Sequence, residues 1–98
     1  MIIVNNKGVI NLKPVTMFIT SWCPYCKQAL SLMDTLKKED PKYSDIDIKV
    51  IDEELEPEIS KKYDYYYVPT YYVDDVKLHE GVPSKDIIRA VLDEAIKS

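Results

Sequence analysis

Cys23 and Cys26 are the only cysteines in the chain, set three positions apart in the stretch "FITSWCPYCKQAL" with Pro24 and Tyr25 between them. Thiols at that spacing admit three chemistries. They can exchange a disulfide with one another, supply half of a zinc site, or sit as small buried residues. Structural zinc takes four ligands; with no second C-x-x-C pair, the chain supplies Cys23, Cys26 and its single histidine, His79. No metal site is therefore expected. The redox reading draws its weight from context, because the pair follows a strand-like run and opens a helical one.

A helix that starts at the first cysteine places Cys23 beside unpaired backbone N–H groups and the positive end of the helix dipole, both of which favour a thiolate. Pro24 suits the first helical position, where its missing N–H would have had no partner in any case. Cys26 lies one turn further on, on the same side, at a separation compatible with a disulfide. Cys23 is thus the expected attacking thiol and Cys26 the resolving one. A stabilised thiolate gains little in attack, because nucleophilicity falls as basicity falls. It gains as a leaving group and makes the disulfide more oxidising.

The elements that must position these thiols are legible along the chain. "VTMFIT" (Val15 to Thr20) is a continuous apolar run, as in a strand buried on both faces. After it, Cys26, Ala29, Leu30, Met33 and Leu36 fall on one helical face, and Lys37, Lys38 and Asp40-Pro41 end that helix. Asp45 to Asp52 reads as a second strand, and "EELEPEISKKY" as a short helix with Leu55, Ile59 and Tyr63 spaced by four. "VPTYYV" is a third strand opened by Pro69. Asp74-Asp75 turns it into a fourth, "VKLHE", where His79 is expected to be an exposed strand residue. Ser84 caps a last helix with Asp86 in its first turn and Ile87, Ile88, Val91, Leu92, Ala95 and Ile96 on its apolar face. The order β-α-β-α-β-β-α predicts an α/β fold, a mixed four-stranded sheet flanked by three helices. Residues 1–14 form an N-terminal extension, expected to hold a short strand or hairpin, and residues 15–98 the domain.

Bulk properties narrow the function. Ninety-eight residues with 46% hydrophobic content suit one globular domain. Thirteen basic and seventeen acidic residues give a net charge of −4 with no basic stripe, which argues against nucleic acid. The first residues lack the features of a signal peptide, and their apolar stretches are too short to span a bilayer. The expected setting is cytoplasmic, without membrane association, where a two-cysteine chain is more often catalytic or metal-binding than cross-linked.

From Val15 to Ile96 the sequence resembles the thioredoxin superfamily. Cys23-Pro24-Tyr25-Cys26 is similar to the glutaredoxin active site. Trp22 before the first cysteine, Lys62 to Thr70 ("KYDYYYVPT") and Gly81 to Ile88 ("GVPSKDII") resemble thioredoxin segments instead. The resemblance implies the thioredoxin fold and a cis Val68-Pro69 bond facing Cys23, with the backbone of Val68 offered to an extended substrate strand. Trp22, Pro24, Tyr25, Tyr67, Val68 and Pro69 are the implied substrate-binding residues, with Trp22, Tyr25 and Tyr67 as an apolar collar; Lys27 and Thr70 support them. Two glutaredoxin features are missing. No lysine stands in Ile19–Thr20–Ser21–Trp22, and Gly81 is followed by Val82 and not by a second glycine. Met17 takes the place of thioredoxin's buried acid, which leaves proton handling to water or Lys27. The implied protein is a monomeric thiol–disulfide oxidoreductase in cell redox homeostasis. It would reduce protein disulfides by dithiol exchange, with a reductase such as thioredoxin reductase, or glutathione, as its reductant. No cofactor beyond the reversible Cys23–Cys26 disulfide is expected. The alternatives are a glutathione-dependent glutaredoxin and, from another class, an iron–sulfur cluster or metal carrier bridging a dimer through Cys23.

Overall fold

The computed structural model describes residues 12–97. The strand or hairpin expected within residues 1–14 falls largely outside them, and 12–14 have no regular structure. The elements run β1 (Val15–Ile19), α1 (Pro24–Glu39), β2 (Ile48–Asp52), α2 (Pro57–Ser60), β3 (Thr70–Val73), β4 (Val76–Glu80) and α3 (Lys85–Ala95). They form one four-stranded sheet in the order β2-β1-β3-β4. β1 and β2 are parallel, from Val15 opposite Ile48 to Ile19 opposite Asp52. β3 runs antiparallel to both its neighbours, with Met17 opposite Tyr71 and Tyr71 opposite His79.

Alternation along the central strands builds two cores. Val15, Met17, Tyr71 and Val73 face one way and bury against Ala29, Met33 and Leu36 of α1 and Ile88, Val91, Leu92 and Ala95 of α3. Phe18, Ile51 and Tyr72 face the other way, under Ile59, Tyr63, Tyr65 and Val68. That second core is aromatic: the Phe18 ring stacks on Tyr65 at 4.8 Å between centroids and tilts against Tyr63 at 4.7 Å. Burial on both faces explains why β1 reads as an unbroken apolar run.

Several boundaries differ from expectation. β2 begins at Ile48, not Asp45. Pro41–Tyr43 forms a 3-10 turn ahead of it, capped by Asp40, whose carboxylate accepts from the Lys42 N–H. Tyr43 is buried there and its hydroxyl donates to Asp93 of α3 at 2.5 Å, so this connection is pinned to the helix layer and not to the sheet. α2 is a single turn, and Pro57 fixes its first residue. Leu55 lies before that turn and is 79% exposed, while Ile59 and Tyr63 pack on the aromatic core as their spacing suggests. β3 begins at Thr70, immediately after Pro69. Asp74 sits at φ 53 in the β3–β4 turn, a left-handed conformation that aspartate tolerates. Ser84 caps α3, its hydroxyl accepting from the Ile87 N–H at 3.2 Å.

Candidate active site

β1 delivers the chain to the C-terminal edge of the sheet, and the first turn of α1 starts there. Cys23 is the N-cap residue, with extended backbone, and Pro24 follows at the first helical position. No acidic side chain stands in that first turn to compete for the positive end of the dipole. The Cys26 and Lys27 N–H groups both donate to the Cys23 carbonyl, at 3.1 and 3.3 Å, which sets the two thiols one turn apart. Both are free thiols. Cys23 keeps 7% of its surface exposed and Cys26 1%, so Cys23 is the outer of two largely covered sulfurs.

A second segment meets them. The Val68-Pro69 peptide bond is cis, and the Val68 carbonyl accepts from the Cys23 Sγ at 3.9 Å. Pro69 is buried, and its carbonyl accepts from the Gly81 N–H at 3.0 Å. Thr70 is also buried and its hydroxyl donates to the Tyr67 carbonyl. Trp22, Tyr25 and Tyr67 are exposed at the surface, Trp22 with its indole N–H donating to Glu54 at 3.0 Å. The five tyrosines around Pro69 divide: Tyr65 and Tyr72 pack in the aromatic core, Tyr71 in the helix-covered core, and Tyr66 and Tyr67 face solvent.

Burial pushes the Cys26 thiol up to about 11. A hydrogen bond from the Thr20 backbone opposes that rise, while a hydrogen bond to Cys23 and the charges of Cys23 and Glu53 add to it. Glu53 is the residue that sequence reading missed. Its N–H donates to the Ile19 carbonyl at 2.9 Å, and its carboxylate accepts from the Tyr65 hydroxyl at 2.7 Å. It lies in an acidic run with no periodic signal, so only the β1–β2 pairing could reveal its place. Tyr71, opposite Met17, was also missed. Burial and then the Cys26 charge push its hydroxyl above the ordinary tyrosine range. The Tyr71 hydroxyl and Thr20 Oγ1 are buried and find no partner among the described residues. Lys27, the expected proton handler, is exposed on α1. His79 is half-buried and not exposed; its Nε2 lies 3.0 Å from the Val82 carbonyl and 3.3 Å from that of Gly81, which fits the Nε2–H tautomer donating. Among the described residues, no group of three or more His, Cys, Asp or Glu is placed to hold a metal ion.

Comparison with known proteins agrees with this architecture. Residues 14–93 match the family described as Thioredoxin domain. A probable thioredoxin of Methanothermobacter thermautotrophicus is 32% identical over 88% of this chain and 96% of its own. A protein disulfide oxidoreductase from Aeropyrum pernix superposes with a TM-score of 0.64 at 26% identity, over 91% of this chain and 40% of that one. The oxidised thioredoxin of Plasmodium falciparum shares the fold with a TM-score of 0.66 at 16% identity, over 89% of this chain and 84% of its own.

Proposed function

The chain belongs to the thioredoxin family and is a thiol–disulfide oxidoreductase; we propose that it reduces protein disulfides by dithiol exchange through Cys23 and Cys26. The observation that carries this reading is the pairing of an outer thiol at a helix N-cap, beside the Val68 carbonyl, with an inner thiol one turn deeper. In the first step the Cys23 thiolate attacks one sulfur of a substrate disulfide and the other leaves as a thiolate. In the second, the Cys26 thiolate attacks Cys23 Sγ, the substrate's remaining sulfur leaves, and the Cys23–Cys26 disulfide forms. Two electrons and two protons pass to the substrate. A dithiol or thiol reductant restores the pair.

The raised Cys26 thiol gives the two steps their order. With a value of about 11, only roughly one molecule in 10⁴ holds Cys26 as a thiolate at pH 7, so the resting enzyme keeps it protonated. Once Cys23 is tied in a mixed disulfide, its own charge and hydrogen bond no longer hold the Cys26 proton on. Burial and Glu53 remain, and the proton must leave as Cys26 attacks. In this proposal that proton passes to water, and the Glu53 charge adds to the cost of its departure.

The backbone at Val68 would receive an extended substrate by strand pairing, with exposed Trp22, Tyr25 and Tyr67 as apolar contacts and Pro24, Pro69 and Thr70 shaping the groove. A reductase of the thioredoxin reductase class is the proposed electron donor, and a cytoplasmic setting fits that pairing. A glutathione-dependent reading rests on one observation, the Cys-Pro-Tyr-Cys tetrapeptide itself. Against it stand the absent upstream lysine and second glycine. Charge-assisted bonds of the kind they would supply contribute roughly 1.5–3 kcal/mol each, so their loss weakens glutathione binding by about 10²-fold or more. The test is turnover of insulin disulfides with a dithiol reductant beside turnover of a small glutathione mixed disulfide with glutathione. Rapid insulin reduction with poor glutathione turnover is expected. Saturation at micromolar glutathione would make the protein a glutaredoxin in activity. An iron–sulfur carrier would show visible absorption as purified, and colourless protein with full turnover is the expected result.

A further inference from the structure

The segment that reaches Val68 lacks regular structure: Tyr66 and Tyr67 belong to no strand or helix, and their side chains are 84% and 69% exposed. Packing of these two side chains therefore does little to hold their backbone, and a carboxylate takes both of its N–H groups. Glu80, the last residue of β4, accepts from the Tyr66 N–H at 2.8 Å and the Tyr67 N–H at 3.0 Å, both on Oε2. Its other oxygen accepts from the Lys77 ammonium at 2.6 Å, and the same ammonium donates to the Asp64 carbonyl at 3.2 Å. Glu80 lies opposite Thr70 in the ladder, and the next residue, Gly81, ties to the Pro69 carbonyl.

One end of β4 thus grips the chain on both sides of Val68. The two loop N–H groups meet an anion, whose hydrogen bonds are about twice as strong as neutral ones. The Lys77 ammonium first, and these N–H groups next, hold the Glu80 carboxyl down to about 2, so it is ionised throughout the neutral range. With the Tyr66 and Tyr67 N–H groups claimed, the Val68 N–H next to them has no hydrogen bond among the described residues, and the Val68 carbonyl is the one that meets Cys23.

We propose that Glu80, anchored by Lys77, is a positioning residue for disulfide exchange: it fixes the backbone of Tyr66 and Tyr67 so that the Val68 backbone is held in place to pair with a protein disulfide. This rests on the reading that Val68 receives substrate. Glu80 acts on affinity for an extended polypeptide and not on the thiols, so a small disulfide that needs no strand pairing is indifferent to it. Glu80→Ala returns two exposed N–H groups to water, and the ordering of the loop must then be met at the moment of binding.

The test uses the full chain, with insulin as the protein disulfide and a small aromatic disulfide as control. Glu80→Ala is expected to raise KM for insulin roughly 10-fold, with kcat within about 2-fold and the small-disulfide rate unchanged. Amide hydrogen exchange at Tyr66 and Tyr67 should accelerate by a similar factor. Glu80→Gln keeps one acceptor oxygen but turns an amide NH₂ toward Lys77, and falls between Ala and wild type. An unchanged insulin KM in Glu80→Ala, while the wild type turns over insulin, overturns the role of Glu80 alone. Equal losses on insulin and on the small disulfide also overturn it, because they place the effect on the thiols or the fold. Wild-type protein that reduces the small disulfide but not insulin overturns the underlying function and the role of Glu80 with it.

Discussion

At the scale of single residues, the two thiols differ in depth and not in kind. Cys23 occupies the N-cap of α1 at the edge of the Val68 segment, and Cys26 lies within the first turn at 1% exposure. Cys26→Ser should therefore accumulate a mixed disulfide with a protein substrate, because no resolving thiol follows. Cys23→Ser should give no turnover. Mass spectrometry after alkylation at pH 8 should find wild-type Cys23 modified first and Cys26 protected, since burial holds its proton on well above that pH. Equal labelling of both thiols would contradict the assigned roles.

At the scale of elements, the site is the junction of two termini, the start of α1 and the approach to β3, so neighbouring elements matter by holding those ends still. α3 packs on α1 through Ile88, Val91, Leu92 and Ala95, and its start depends on Ser84, whose hydroxyl accepts from the Ile87 N–H. Ser84→Ala should cost about 1 kcal/mol of unfolding free energy, the usual loss for an N-cap. Urea denaturation would measure it, and disulfide turnover per folded molecule should stay unchanged. A parallel drop in turnover would show that α3 influences the thiols through α1. The short 3-10 turn at Pro41–Tyr43 works in the same way, since the Tyr43–Asp93 bond joins the end of α1 to α3 far from the cysteines in sequence.

At the scale of the whole molecule, the ionisable groups that folding perturbs set a range of pH over which the fold is most stable. Glu80 is held down to about 2, by Lys77 and then the loop N–H groups, and Lys97 and Lys13 hold Glu94 below the ordinary carboxylate range. A lowered carboxyl adds stability that is complete above its unfolded value, near 4.5, and vanishes as pH falls through the folded one. At the alkaline end, burial pushes Cys26 to about 11 and Tyr43 to about 12, and it raises Tyr65 and Tyr71 as well. Their contribution is complete below the unfolded values, 9.0 for the thiol and 10.0 for the phenols, and is lost as pH rises through the folded ones. The melting temperature should thus be level across the neutral range, fall below about pH 4.5, and fall again above about pH 9. Cys26→Ser should flatten the first part of the alkaline limb. An alkaline limb identical in the two proteins would show that Cys26 does not titrate in that window.

What the sequence determined by itself was whatever depends on near neighbours in the chain. Pro24 after Cys23, the burial spacing of Cys26, Ala29, Met33 and Leu36, and Ser84 before an amphipathic run are local signals, and each lies in the structure where its pattern places it. The β1 run was legible because both of its faces are covered, which leaves no polar gap to misread. Local signals failed where a distant partner decided the outcome. Asp45 to Asp47 alternates like a strand, but the chain there is pulled to the helix layer by Tyr43 and Ile46, and pairing with β1 starts only at Ile48. Leu55 shares the spacing of Ile59 and Tyr63 yet points to solvent, because Pro57 starts the helical turn after it. At the candidate site the division is the same. The cysteines and the Val68-Pro69 step could be named from their spacing and from resemblance, whereas Glu53, Tyr71 and Glu80 carry no motif. Glu53 reaches its place through the parallel β1–β2 pairing, Tyr71 through its register with Met17, and Glu80 through a turn that folds β4 back along β3. Charge–charge and hydrogen-bond contacts between residues far apart in sequence are set by the register of the sheet, and only the folded chain fixes that register.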